Sequence, residues 1–147
     1  MKPRSAAVVG ALLSLALIGA ATGPVAAATP QRVKVTGEVI DSWCYLSEIM
    51  YPEGTAHHQC AIWCAAGGVP VGILGEDGTV YLILKLGNDT ANVANQAVLK
   101  LQTRKVSVEG DLIERGGMNY LLINQVIADE GVVNMTHADY DVQPFGE

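Results

Sequence analysis

The chain has 147 residues and a formal net charge of −6, with 15 acidic against nine basic residues. No run of lysines or arginines occurs, so a nucleic-acid partner is not expected. The length suits one domain with its own hydrophobic core.

Residues 1–28 have the form of a secretory signal peptide. Lys2 and Arg4 precede an apolar run over residues 6–21, and alanines fill positions 26–28. A basic start, an apolar centre and a small-residue end are typical of Sec-type export. The apolar run is shorter than the roughly 20 residues of a membrane span. We expect cleavage after residue 28 and an exported protein, periplasmic or extracellular, with no membrane span after cleavage. Removing those 28 of 147 residues leaves 119 and takes away two positive charges, from −6 to −8.

The remaining chain alternates between strand patterns and two helical segments. Five segments have the apolar alternation or the flanking turn residues of strands. They cover residues 33–40, 69–74, 79–86, 105–113 and 118–127. Asp77-Gly78 supplies the turn of a hairpin between the second and third strands. An apolar face at helical spacing predicts a helix over residues 90–101, capped within residues 88–90.

This order of elements predicts a mainly β protein with an OB-fold-like barrel of five strands. One helix would lie between strands 3 and 4, as in that fold, and Gly37 and Gly110 inside strands suit its sharp coiling. A short β-sandwich is the alternative, but it leaves the helix unexplained. We assign residues 29–128 to the barrel domain and residues 129–147 to an acidic C-terminal tail.

The connection between strands 1 and 2, residues 42–68, is too long at 27 residues for a plain loop and predicts a functional insert. A short helix over residues 56–66, capped by Thr55 and ended by Gly67-Gly68, would carry most of its polar chemistry.

The insert holds all three cysteines of the chain and two of its three histidines. At about 100° per residue, Cys60 and Cys64 project about 40° apart, and His57 lies within about 60° of both. His58 points about 120° away from Cys60 and is the second choice. Cys44, just after strand 1, would complete a set of four ligands.

Two cysteines at i and i+4 of a helix favour a metal over a mutual disulfide. Their Cβ atoms lie about 5–6 Å apart, whereas a disulfide needs about 3.5–4.5 Å. Three thiols and an imidazole suit zinc or copper. Haem is a further candidate, although a C-x-x-C-H motif does not occur. Asp41 would either orient the histidine or cap the turn after strand 1.

A disulfide staple is the alternative to a metal site. Cys44 bonded to Cys60 or Cys64 would close the insert and contribute roughly 3 kcal/mol. The protein would then be an exported binding or adaptor module without a metal. A thiol-based redox protein is a third hypothesis, which the C-x-x-x-C spacing does not favour.

The insert also carries a family resemblance. The residues that carry it are Gly37-x-Val39-x-Asp41-x-x-Cys44, His57-x-x-Cys60-Ala61-x-x-Cys64 and Asp77-Gly78. This pattern resembles uncharacterised small exported bacterial OB-like proteins. The resemblance implies the barrel fold and His57 over His58 as ligand, and it implies no activity.

Because no catalytic motif stands out, we expect a non-enzymatic protein. Its partner would be a metal ion, a small ligand or another exported protein. Trp43 and Trp63 are expected to pack the insert.

Overall fold

The fold is described here for residues 29–90 and 95–133 of a computed structural model. The predicted leader and residues 134–147 of the predicted tail lie outside the described residues. The elements, in chain order, are β1 (Gln31–Asp41), α1 (Ser42–Ser47), α2 (Gly54–Ala66), β2 (Val71–Gly75), β3 (Val80–Leu86), β4 (Asp89–Thr90), α3 (Gln96–Leu99), β5 (Arg104–Arg115) and β6 (Met118–Val132). None of the helices in these residues has the length and apolar character needed to cross a bilayer.

Five of the strands close into a mixed barrel, which confirms the predicted fold class. Their order is β2-β1-β5-β6-β3, and the pairing of β2 with β3 closes the ring. β3 and β6 run parallel, while the other barrel pairs are antiparallel. Apolar side chains at alternate strand positions fill the interior, because successive side chains point to opposite faces. The fully buried examples include Val39, Ile73, Val106, Leu121 and Ile123.

Gly37 marks the bend of β1. Residues 31–38 pair with β5 and residues 37–41 pair with β2, so the strand changes partner at this glycine. A Cβ atom at Gly37 would lie 2.0 Å from the carbonyl oxygen of Leu74. Only glycine allows the two backbones to approach this closely, which is the use predicted for it.

The helix between β3 and β5 is shorter than predicted and has another cap. Asp89 and Thr90 pair with β3 as the short strand β4, and neither of them caps α3. The side-chain oxygen of Asn95 instead accepts hydrogen bonds from the N–H groups of Ala97 and Val98, at 3.0 and 3.1 Å. An asparagine at this position is a favoured N-cap. α3 covers Gln96–Leu99, and residues 91–94 of the predicted helix lie outside the described residues.

The last strand continues beyond residue 128, where the sequence analysis places the start of the tail. β6 pairs with β5 as far as Val132, and Arg104 forms an ion pair with Asp129 at 2.9 Å. Val133 then donates its N–H to the Thr103 carbonyl oxygen at 3.0 Å. The first residues of the predicted tail therefore belong to the sheet.

Candidate metal centre

Cys44 is positioned by the last residue of β1. Asp41 ends that strand, and its Oδ1 accepts the Cys44 N–H at 2.8 Å, so it is the N-cap of α1. The Ser42 N–H donates to the Pro70 carbonyl oxygen at 3.0 Å, which ties the start of α1 to the segment entering β2. Cys44 thus lies in the first turn of a short helix, with only 2% of its surface exposed.

The N-terminal end of α2 is held by the barrel. The Gly54 N–H donates to Oε1 of Glu38 at 2.6 Å, and the Thr55 N–H donates to the Val133 carbonyl oxygen at 2.8 Å. The predicted Thr55 cap was wrong, because the helix begins one residue before it and its N-cap position, Glu53, makes no side-chain capping bond. The Glu38 carboxyl group thus accepts one of the N–H groups that a capping side chain would otherwise bind.

The C-terminal end of α2 has the predicted glycine stop. The N–H of Gly68 donates to the Ala65 carbonyl oxygen at 3.1 Å, and that of Val69 donates to the Cys64 carbonyl oxygen at 2.9 Å. These two bonds form a Schellman motif. Gly68 has a φ of 101°, a conformation that favours glycine. With both ends fixed, α2 holds its side chains at a defined depth against the barrel.

The insert brings the predicted ligands together. The ligand atoms of Cys44, His57 and Cys60 all lie within 4.8 Å of one another. Cys64 belongs to a second group of the same size with Cys44 and Asp41, and its sulfur lies 3.9 Å from that of Cys60. Cys44 is common to both groups. A Cys/His/Asp cluster that can hold a metal ion therefore lies between the end of β1 and α2.

The sulfur separation is close to what a tetrahedral metal requires. Two sulfurs bound at about 2.3 Å to one tetrahedral zinc lie about 3.8 Å apart. Cys60 and Cys64 are 3.9 Å apart, whereas a disulfide bond is about 2.05 Å long. All three cysteines are free thiols in the structure, near one another but not bonded.

Asp41 fills both of the roles considered for it. While Oδ1 caps α1, Oδ2 contacts Nε2 of His57. Asp41 and His57 are both buried, at 0% and 1% exposure. A carboxylate on the outer nitrogen of a ligand histidine fixes the ring and raises its basicity. Because Nε2 is engaged in this way, Nδ1 is the ring nitrogen left to bind a metal.

His58 is directed elsewhere. Its Nδ1 lies 2.7 Å from Oγ1 of Thr103 and 3.2 Å from the carbonyl oxygen of Gln102. Both partners belong to the segment between α3 and β5. Of the two adjacent histidines, only His57 faces the cysteines.

Cys44 and Cys64 are in an environment that opposes the ionisation of their thiols. Burial, and then the charge of Asp41, raise the pKa of Cys44 to about 12. The pKa of Cys64 is also raised, again chiefly by burial. A redox-active thiol has a lowered pKa, so these two cysteines do not have the character of thiol-exchange residues. A bound cation would supply the positive charge that their thiolates need.

Glu38 is the functional residue that the sequence analysis missed. Desolvation raises the pKa of its carboxyl to about 7, and the Gly54 N–H opposes the rise. The local pattern places Glu38 on the polar face of β1. One signal of its burial was available in the sequence. Ile40 is an apolar residue on the same face of β1, which indicates that another element covers this end of the strand.

The two tryptophans do not pack the insert, so that prediction was wrong. Trp43 is 60% exposed and Trp63 is 69% exposed. The inner face of α2 is instead filled by Ala61 and Ala65, which are 0% and 4% exposed, and by His57. Small side chains let the helix lie close to the barrel and leave the indoles outside.

The fold and the cluster define the class of protein, a small OB-fold-like barrel whose first connection carries a Cys/His/Asp group able to hold a metal ion. Comparison with protein-family models, curated proteins and solved structures gives no match for the chain.

Proposed function

We propose that this chain is an exported, non-enzymatic protein that binds a soft metal ion, copper or zinc, through Cys44, His57, Cys60 and Cys64. Asp41 orients the histidine. The observation that carries the proposal is the convergence of three ligand atoms within 4.8 Å, with a fourth ligand sulfur 3.9 Å from one of them. The resemblance to small exported OB-like proteins supports the same ligands.

The donor set supports the proposed choice of metal and a non-catalytic role. Thiolate and imidazole ligands select zinc and copper(I) over hard cations such as magnesium and calcium. Four protein ligands fill a tetrahedral site, whereas a catalytic zinc keeps one position open for water or substrate. Storage, delivery and sensing of the ion are all compatible with such a closed site.

A single ion fits the site better than haem. Cys44 and His57 are 2% and 1% exposed. A porphyrin between them would need open space on both faces, and their burial against the barrel does not provide it. We therefore place the ion between the end of β1 and α2.

The proposal is tested by elemental analysis of the protein exported by its native host. We expect about one copper or zinc per chain in the unaltered protein and loss of that metal in Cys60→Ser. The two adjacent histidines offer a matched pair. His57→Gln should lose most of the metal, whereas His58→Gln should retain it, because His58 is held by Thr103 and Gln102. Equal metal content in both histidine variants would refute the ligand assignment.

Counting thiols decides between the metal site and the disulfide staple. Three thiols that become reactive only after chelation support the metal site. One reactive thiol and no metal would instead support the disulfide-stapled adaptor module.

Mass spectrometry of the same exported protein tests the leader, since cleavage after residue 28 gives a chain that begins at Thr29.

A further inference from the structure

The insert exposes most of the large apolar side chains found on the described surface. Nine such side chains are exposed within residues 29–90 and 95–133, and six of them fall between residues 43 and 63. These six, called the insert patch below, are Trp43, Leu46, Ile49, Met50, Tyr51 and Trp63, with exposures from 47% to 69%. Apolar residues scattered singly need no explanation, but a concentration of this kind marks an interaction site.

The part of the insert patch around Trp43 and Leu46 is a shaped surface beside the candidate metal centre. Trp43 and Leu46 line a cavity of about 570 Å³ that is completed by Gly67–Pro70. Leu46 also borders a second depression, of about 260 Å³, against β3. Trp43 and Trp63 each directly precede a cysteine of the cluster in the chain. Tryptophan, tyrosine and methionine are the residue types enriched where proteins meet.

The charge carried by the insert segment is of one sign. Residues 42–68 contain no lysine or arginine, and their two acidic residues are Glu48 and Glu53. Glu48 and Glu53 lie within the patch segment itself, and Glu48 is exposed. An apolar segment that carries acidic residues and no basic ones has a defined complement, namely an apolar surface bordered by basic residues.

This charge pattern disfavours the other occupants. Helices that bind membrane surfaces carry lysine and arginine on their polar face, because these side chains are attracted to the anionic lipids of the surface. A symmetric pair of copies of this chain would bring the same acidic residues together across the contact. Both arrangements place negative charge against negative charge.

We propose that the insert patch is a docking surface for another protein, one that presents an apolar face bordered by lysines and arginines. The surface adjoins the cluster of cysteines, but the inference does not depend on a bound metal and is tested without one.

The experiment uses the purified protein in chelator and two synthetic peptides. One is an 18-residue amphipathic helix of leucine and lysine, and the other has glutamate in place of each lysine. Binding is followed by isothermal titration calorimetry. The patch variant is Leu46→Ser with Trp63→Ser, and the matched control is Leu84→Ser with Ile127→Ser. The control residues are exposed by 46% and 42% on the barrel and lie outside the patch.

We expect the lysine peptide to bind at least tenfold more tightly than the glutamate peptide. The patch variant should lose at least tenfold in affinity, while the control should change by less than twofold. Equal affinities of the patch variant and the unaltered protein would overturn the proposal. So would patch-dependent binding to vesicles of phosphatidylcholine and phosphatidylglycerol. A dimer in sedimentation analysis that the patch variant alone abolishes would assign the surface to a second copy and overturn it as well. Circular dichroism of both variants checks that they are folded.

Discussion

Replacing Glu38 by glutamine should change how the stability of the protein depends on pH. Glu38 is 7% exposed, and desolvation raises the pKa of its carboxyl from about 4.5 to about 7. Between these two values the folded protein keeps the proton that the unfolded chain releases. The free energy of unfolding therefore falls as pH rises through this window. The difference between the two pKa values sets an upper limit of about 3 kcal/mol on the loss.

Glutamine has no proton to lose, and its side-chain oxygen can still accept the Gly54 N–H. We therefore expect Glu38→Gln to gain stability relative to the unaltered protein as pH rises from 4.5 to 8, by up to about 3 kcal/mol. Urea unfolding followed by circular dichroism, in the presence of chelator, measures this difference at each pH. Other titrating groups cancel in the comparison, and Glu109→Gln, at an exposed position of β5, is the control. A constant difference between Glu38→Gln and the unaltered protein over this range would show that the carboxyl is not buried against α2.

Three further outcomes follow from the same geometry. Asp41→Asn keeps an oxygen for the α1 cap but removes the carboxylate from His57. Metal affinity, measured in a competition titration, should therefore fall about 10–100-fold. Unchanged affinity would show that Asp41 does not support the site. Gly37→Ala places a Cβ atom 2.0 Å from the Leu74 carbonyl oxygen. The free energy of unfolding, measured in urea, should fall by about 1–3 kcal/mol. A fall of less than about 0.5 kcal/mol would be inconsistent with the bend described for β1. Zinc at a free concentration of 100 times its dissociation constant should raise the free energy of unfolding by about 2.7 kcal/mol. Chelator should reverse this increase. Cys60→Ser should not show it at the same zinc concentration.

Local patterns in the chain were sufficient to predict the barrel strands and the helix of the insert. The alternation in β1 and the glycine at its bend are properties of neighbouring residues, and so is the spacing of His57, Cys60 and Cys64. The helical spacing also distinguishes His57 from His58, which the structure places on different sides of α2.

Contacts between elements account for what the sequence did not reveal. Asp89 and Thr90 have the residue types of a helix cap, but they pair with the end of β3 that extends beyond its pairing with β2, and so form β4. Glu38 has the position of an exposed strand residue, yet it meets the N-terminus of α2, which lies 16 residues further along the chain. The exposure of Trp63 depends on how closely α2 approaches the barrel. The spacing of residue types along the chain does not specify the distance between α2 and the barrel.

β1 links the stability of the barrel to the geometry of the cluster. One face of the strand contributes Val35 and Val39 to the core. Towards the end of the strand, Glu38 holds the start of α2, and Asp41 holds both the start of α1 and the ring of His57. The two helices that carry the cysteines are thus oriented by carboxyl groups three residues apart on a single strand. A substitution that shifts the end of β1 should therefore weaken metal binding without touching a ligand, whereas one of similar cost at the β5–β6 turn should lower stability alone.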